Sequence, residues 1–158
     1  MTRILEALRF GVLTLGTLLF VDLFLPWHHT SVSVAGSIVD VESDSSAWAG
    51  WGAVAGVLLI ALLAWEAWRL TGAAVAARAS AAAVSFVLAV FVAAFTLIEF
   101  ATGAVDVHSG GLVVVGVHGR QWPGYVGVVL AALIALVALI RLELPHRRDA
   151  PRVRLEVR

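Results

Sequence analysis

Residues 18–27 read LLFVDLFLPW, where a long apolar run ends in a proline and a tryptophan. A membrane-spanning helix needs about 20 mostly apolar residues, and the run that ends here is long enough. Asp22 lies inside the run, although membrane helices rarely carry a carboxylate that has neither a partner nor a function. The stretch therefore predicts a membrane helix with one carboxylate near its end.

The composition indicates a lipid environment for the whole chain. Of its 158 residues, 61% are hydrophobic and 14% are charged, and the mean hydropathy is +0.96. Soluble domains are about 45–50% apolar and about 25% charged. The chain has no cysteine, which excludes disulfides, thiol redox chemistry and cysteine-ligated metal sites.

Four stretches are apolar enough to span a bilayer, and they predict an all-α membrane protein with a four-helix transmembrane domain in residues 1–145. The predicted spans are residues 8–26, 50–68, 80–101 and 123–141. Aromatic residues near the span ends are expected to be interfacial anchors in the two headgroup layers. These anchors are Trp27, Trp48, Trp51, Trp65, Trp68, Trp122 and Tyr125.

The arginines predict the orientation. All 11 basic residues are arginine, and only Arg120 lies in the two long loops between spans 1 and 2 and between spans 3 and 4. This bias predicts a multi-pass protein of the cytoplasmic (inner) membrane, with both termini and the basic tail, residues 146–158, in the cytoplasm. A signal peptide cleaved after Ala35 is the alternative, but Asp22 and the length of the apolar run argue against it.

The first long loop predicts a β-hairpin at about residues 30–42. Its sequence alternates around Ala35-Gly36, with Ser31, Ser33, Asp40 and Glu42 expected on one face. The opposite face would carry Val32, Val34, Val39 and Val41. Residues 42–47 are interpreted as a polar connector.

The second long loop predicts another hairpin at about residues 104–118, with its turn at Gly110-Gly111. An isolated hairpin is only marginally stable in water. The two hairpins are therefore expected to join into one small antiparallel sheet that covers the outer end of the bundle.

Two segments suggest an internal repeat. Residues 48–51 (WAGW) open span 2 and residues 122–125 (WPGY) open span 4, while spans 1 and 3 end near Asp22 and Glu99. A tandem duplication explains this pattern, and shared composition explains part of it. The FLPW and W-x-G-W segments resemble small uncharacterised four-helix integral membrane proteins of high-GC bacteria. The layout also resembles claudin-like tetraspan proteins, in architecture only, because the claudin cysteine pair is missing. These resemblances imply a layout and no activity.

Small residues recur at a spacing of four along spans 2, 3 and 4, and such stripes allow close helix packing in lipid. The residues are Gly52, Gly56, Ser85, Ala89, Ala93, Gly127, Ala131 and Ala135. The general abundance of alanine and glycine is the competing explanation. Whether the stripes pack within one chain or against a second copy stays open.

Three charged residues predict an intramembrane polar cluster near the outer end of the bundle. Asp22 and Glu99 are expected to face the interior, and Arg120 to reach at least one of them. The cluster is either a clamp between helices or a proton or cation site. Glu66 and Arg69 are interpreted as a simple i,i+3 ion pair at the other end.

Histidines of the outer loops are candidate metal ligands. They are His28, His29, His108 and His118. No H-E-x-x-H or similar spacing is present, and the predicted register of the second hairpin keeps His108 and His118 apart. Ordinary surface histidines are the competing interpretation, and no cofactor is expected.

The sequence contains no nucleophile–base pattern and no phosphate-binding loop, so we do not expect an enzyme. The arginine-rich tail carries no nucleic-acid-reading motif, and no nucleic acid is expected as a partner. The expected partners are the lipid bilayer and a membrane protein or a second copy. The sequence thus predicts a scaffold, accessory subunit or self-assembling envelope protein. The alternative is a small ion- or proton-coupled transporter or channel that uses Asp22 and Glu99.

Overall fold

A computed structural model describes residues 2–34, 40–70, 78–102 and 114–146, with side chains at 7–29, 44–48, 50–70, 81–102 and 119–143. The elements in chain order are α1 (Thr2–Asp22), β1 (Pro26–Val34), β2 (Asp40–Ser46), a 3-10 turn (Ala47–Ala49), α2 (Trp51–Leu70), α3 (Arg78–Thr102), β3 (Val114–Arg120) and α4 (Trp122–His146). The chain is thus mostly helical with a small antiparallel sheet, which confirms the predicted fold class in its coarse form.

Three helices are long and apolar enough to cross a membrane. They are the segments Trp51–Leu70, Ala81–Thr102 and Trp122–Glu143. About a third or less of each hydrophobic window is buried inside the protein, so most of its apolar side chains face outward, as they do in lipid. Helix α1 has 21 residues, and its side chains are described at residues 7–22. The three helices indicate a membrane protein.

The helix that contains predicted span 1, residues 8–26, has limits that differ from those of the apolar run. Helix α1 begins at Thr2 and ends at Asp22, and β1 has started by Pro26. A tight turn follows the helix, in which Leu25 N donates to Asp22 O at 3.0 Å. Proline lacks an amide hydrogen and disfavours helical backbone in the residue before it. The apolar run continues through this turn, so hydrophobicity alone did not mark the helix end.

The four helices form a bundle in which α1 and α3 each pack against both α2 and α4. Helices α1 and α3 therefore lie diagonally across the bundle. Its centre is apolar and is held by side-chain packing, which is the main association force available in lipid. The largest fully buried apolar side chains of the helices are Val12, Leu19, Leu59, Leu62, Val92 and Ile134, and Leu23, directly after α1, joins them.

The sheet has the strand order β2-β1-β3, and both pairings are antiparallel. In the first hairpin, Val32 pairs with Val41 and Ser33 with Asp40, which keeps the predicted alternation of valine and polar faces. The hairpin is longer than the predicted 30–42, because residues 42–46 belong to β2 and not to a connector. The predicted turn lies outside the described residues.

Strand β3 attaches the second outer loop to the first. It pairs with β1 from Val34–Val114 to His28–Arg120, so β1 is the central strand. The predicted union of the two loops in one sheet is present in this pairing. The first half of the predicted second hairpin, including Gly110-Gly111 and His108, lies outside the described residues.

The two aromatic segments of the proposed repeat differ in structure. Trp48 lies in the 3-10 turn before α2, is half-buried, and packs on Gly56. Trp122 starts α4 directly and is 75% exposed. The similar segments WAGW and WPGY therefore do not occupy equivalent positions in the structure.

The small-residue stripes divide into two groups. Ser85, Ala89 and Ala131 are buried inside the bundle. A side chain at Gly52 would instead overlap the backbone of Ala47, so this glycine accommodates the preceding turn and not a neighbouring helix. Gly56 is buried and faces the Trp48 ring of the same turn. Ala93 and Ala135 are half-buried beside the core.

Candidate functional site

The buried polar side chains of the helices and β1 fall mainly at the two ends of the bundle. At the sheet end they are Asp22, His28 and Glu99, and at the opposite end Glu66, Arg69, Ser85 and Arg141. Between them, Thr96 is the one other buried polar side chain in the part of the chain whose side chains are described. Both ends are candidate sites.

Glu99 binds the start of α2. The Gly52 amide donates to Glu99 Oε2 at 3.1 Å, and a Cβ at Gly50 would lie only 2.5 Å from the same oxygen. The first amides of a helix lack partners within the helix, and its dipole makes this end attract negative charge. Glu99 of α3 therefore caps α2 from a neighbouring helix, and Gly50 leaves room for it.

His28 connects β1 to the same carboxylate. Its Nε2 lies 3.5 Å from Glu99 Oε1, and both side chains are almost fully buried. Burial lowers the pKa of His28 below its usual value, and nearby Arg120 adds to this effect, while Glu99 opposes it. The neutral imidazole is therefore favoured in the folded protein.

Asp22 lies at the end of α1, across the bundle from Glu99. Its backbone carbonyl accepts a hydrogen bond from Trp27 Nε1 at 3.0 Å. Its carboxylate oxygen Oδ2 is buried and has no hydrogen-bond partner. A Cβ at Gly127 would lie 2.6 Å from this oxygen and would overlap the Trp27 ring. Gly127 thus makes space for both groups on α4.

Trp27 is a core residue and not an interfacial anchor, which corrects the prediction. Its side chain is 0% exposed and lies against Gly124 and Gly127 of α4. The backbone oxygen of Trp27 accepts from the Gln121 amide at 2.8 Å. This residue therefore fixes the start of β1 to both α1 and α4.

Arg120 has partners other than the predicted carboxylates. Its Nε donates to the Phe100 carbonyl at 3.1 Å and its Nη2 approaches the Ala101 carbonyl at 3.5 Å. The guanidinium carbon also lies 4.9 Å from the centre of the Phe100 ring. The last carbonyls of a helix lack partners within the helix and attract cations. Arg120 therefore caps the end of α3, while Asp22 and Glu99 are buried as expected.

The predicted histidine ligands do not converge. His28 is buried beside Glu99, whereas His29 Nδ1 lies 2.8 Å from the exposed carboxylate of Asp44. Asp44 also accepts from Gln121 Nε2 at 2.8 Å. Backbone pairing places His118 opposite Thr30. Among the described residues, no group of three or more metal-binding side chains occurs.

The opposite end is built around Glu66, which is 0% exposed. Its Oε1 accepts from Arg69 Nη1 at 3.3 Å and from Arg141 Nη1 at 3.0 Å. Ser85 Oγ also donates to Oε1, and Arg69 Nη1 donates to Ser85 Oγ at 3.1 Å. Helices α2, α3 and α4 thus meet at one carboxylate.

We call Arg9, Glu66, Arg69, Ser85 and Arg141 the arginine cluster. Arg9 of α1 is half-buried on a helix that packs against α2, and its charge acts on Arg69. The predicted i,i+3 ion pair of Glu66 and Arg69 is present, but the sequence interpretation did not include the burial of both side chains. It also missed Arg141 and Ser85. The available signal was a carboxylate within an apolar span, which requires a partner.

The other aromatic residues vary in exposure. Trp51, Trp68, Trp122 and Tyr125 each have at least half of their surface exposed, which suits an interfacial position. Trp65 is half-buried, and its Nε1 donates to the Ala81 carbonyl at 3.4 Å. Trp48 is half-buried with an unpartnered Nε1.

No family model matches the chain. No characterised protein matches it either.

Proposed function

We propose that this chain is a four-span protein of the cytoplasmic membrane that acts without catalysis, as a scaffold, accessory subunit or self-assembling envelope protein, through its outer sheet. In this proposal α1 is the fourth span, both termini are cytoplasmic, and the sheet faces outward. The orientation is supported by the distribution of arginine along the sequence.

The observation that carries the proposal is the use of polar groups at the sheet end. Glu99 caps α2, Arg120 caps α3, and the Trp27 indole binds the last carbonyl of α1. Trp27 and His28 belong to β1, so the central strand is attached directly to the helices. These contacts favour a sheet held in a fixed orientation, as a binding surface requires.

The alternative, ion- or proton-coupled transport, has weaker support. The unpartnered oxygens of Asp22 and Glu66 are compatible with a titrating group at each end. A pathway needs polar groups at several depths, and the described interior between the two ends is apolar apart from Thr96. The geometry therefore favours a scaffold.

Cysteine labelling tests the proposed orientation. Single cysteines at Ser45 and Thr102 should react with an impermeant thiol reagent in intact cells, and a cysteine at Ala150 should react only after the membrane is opened. Labelling of the Ala150 position in intact cells would contradict the orientation.

Two adjacent substitutions on β1 test the role of the sheet. Val32 pairs with Val41 and Ser33 with Asp40, and adjacent strand residues point to opposite faces. We expect Val32→Asp to reduce the size of the complex purified in mild detergent and Ser33→Asp to preserve it. Thermal unfolding of both variants separates lost assembly from lost folding. Equal complexes from two folded variants would exclude the valine face as the contact.

Reconstitution into liposomes tests the alternative function. We expect no proton flux across the membrane of these liposomes under an imposed pH gradient. A flux that the Asp22→Asn variant abolishes would replace the scaffold proposal with proton transport.

A further inference from the structure

The arginine cluster contains more positive than negative charge. Arg69 and Arg141 share a single carboxylate oxygen of Glu66, and the charge of Arg9 acts on Arg69. Among the described side chains, three guanidinium groups thus accompany one buried carboxylate, and two of them contact it. Even with Glu66 ionised, two positive charges remain without an opposite charge inside the cluster.

The excess positive charge is buried, and burial makes it energetically unfavourable. Arg69 is 8% exposed and Arg141 is 5% exposed. A buried charge is strongly unfavourable unless an opposite charge accompanies it. An external anion is the simplest source of compensation.

The position and the donors of the cluster fit phosphate. Trp65 and Trp68 lie on the same turn of α2, and Trp68 is half exposed, as expected near lipid headgroups. Arginine binds phosphate through a fork of two parallel N–H groups. Arg69 and Arg141 both use Nη1 for Glu66. The Nε and Nη2 groups of Arg69 and Arg141 make no hydrogen bond to any described residue, so these donors are available to a ligand.

We propose that the arginine cluster binds a phosphate-bearing anion at this end of the bundle, as carried by the headgroup of an anionic phospholipid. Arg9 is half-buried and does not hydrogen-bond Glu66, so it is the member best placed to meet the headgroup at the surface. The site does not depend on the function proposed for the sheet.

Thermal unfolding of the full chain in detergent tests the site. We expect added phosphatidylglycerol to raise the unfolding temperature by several degrees, and phosphatidylcholine at the same concentration to leave it unchanged. Arg9→Gln should weaken phosphatidylglycerol binding about five-fold, the effect of one arginine near an anionic headgroup. Glu66→Gln, where it folds, should strengthen binding because it adds to the excess charge.

Two controls separate this site from general attraction to basic segments. The tail variant Arg152→Gln/Arg154→Gln removes two charges outside the cluster and should keep the phosphatidylglycerol effect. Arg120→Gln at the sheet end should also keep it. Loss of the effect in the tail variant but not in Arg9→Gln would overturn the proposal, as would equal effects of the two lipids.

Inorganic phosphate distinguishes the two sources of the anion. If phosphate alone, at matched ionic strength, reproduces the stabilisation and Arg9→Gln reduces it, the site binds a soluble phosphate compound. If only the lipid stabilises the protein, the site binds a headgroup. If neither does, the proposed site is wrong.

Discussion

Replacing Glu66 with glutamine tests how strongly the arginine cluster holds the bundle together. The substitution keeps the size of the side chain and an oxygen acceptor, but it removes the negative charge. Arg69 and Arg141 are both buried and both bind Glu66 Oε1, at 3.3 and 3.0 Å. The variant would therefore bury two guanidinium groups whose shared counter-charge has been lost.

The expected loss follows from this geometry. Removing one partner of a buried ion pair costs about 3–5 kcal/mol in unfolding free energy. Two arginines depend on this one carboxylate, so we expect a value towards the upper limit. For a chain of this size, 1 kcal/mol corresponds to roughly 2–4 °C in unfolding temperature. The variant should thus unfold roughly 10–20 °C lower.

Thermal unfolding in a mild detergent measures this effect. Glu143→Gln is the matched control, because it makes the same change at an exposed position of the same end, where ion pairs are worth about 0–1 kcal/mol. The double variant Glu66→Gln/Arg141→Gln should recover part of the loss, since it also removes an uncompensated charge. An unchanged unfolding temperature in Glu66→Gln would refute the reasoning.

Three further predictions concern single positions. Gly127→Ala should lower stability by about 1–3 kcal/mol because its Cβ overlaps Trp27, whereas Gly11→Ala, with no atom within 4 Å, should be neutral or stabilising in the same unfolding assay. The lowered pKa of His28 means that its stabilising contribution is present above pH about 6.5 and is lost as the pH falls through the lowered value. His28→Gln should therefore flatten the acid side of the stability–pH curve, and His29→Gln should not; equal curves for the unaltered protein and His28→Gln would contradict this. Thr96→Val should be neutral or stabilising, because it removes a buried hydroxyl that has no partner, and a large loss would indicate an unseen hydrogen bond.

The sequence predicted the broad fold because hydrophobic periodicity is a local property. The apolar runs located the helices, and alternation placed Val32 and Val41 on one face of the hairpin. The same signal could not locate the end of α1, because residues 23–25 remain apolar after the helix has stopped. The extension of β2 beyond Glu42 was missed for the opposite reason, since its polar sequence lacks the alternation of a half-buried strand.

The site partners could not be predicted because they join distant parts of the chain. Glu66 and Arg141 are 75 positions apart, and no spacing rule relates residues on different helices. Trp27 shows a second limit. An aromatic residue at the end of a span is typical of an interfacial anchor, but here the glycines of α4 leave room for it inside. Only the packing of α1 against α4 distinguishes the two cases.

Asp22, the carboxylate within LLFVDLFLPW, also differs from Glu99, its counterpart in the proposed internal repeat. Glu99 and Arg120 each lie at a helix terminus of opposite partial charge, so the helix dipoles compensate them and they need not pair with each other or with Asp22. Asp22 lies at the carbonyl end of α1, where a negative charge is unfavourable, and its Oδ2 has no partner. The two carboxylates are both buried at the sheet end of the bundle, but they do not share an electrostatic role. Glu99 therefore helps to attach the sheet to the helices. Substitution of Asp22 is the change that distinguishes a scaffold from a transporter.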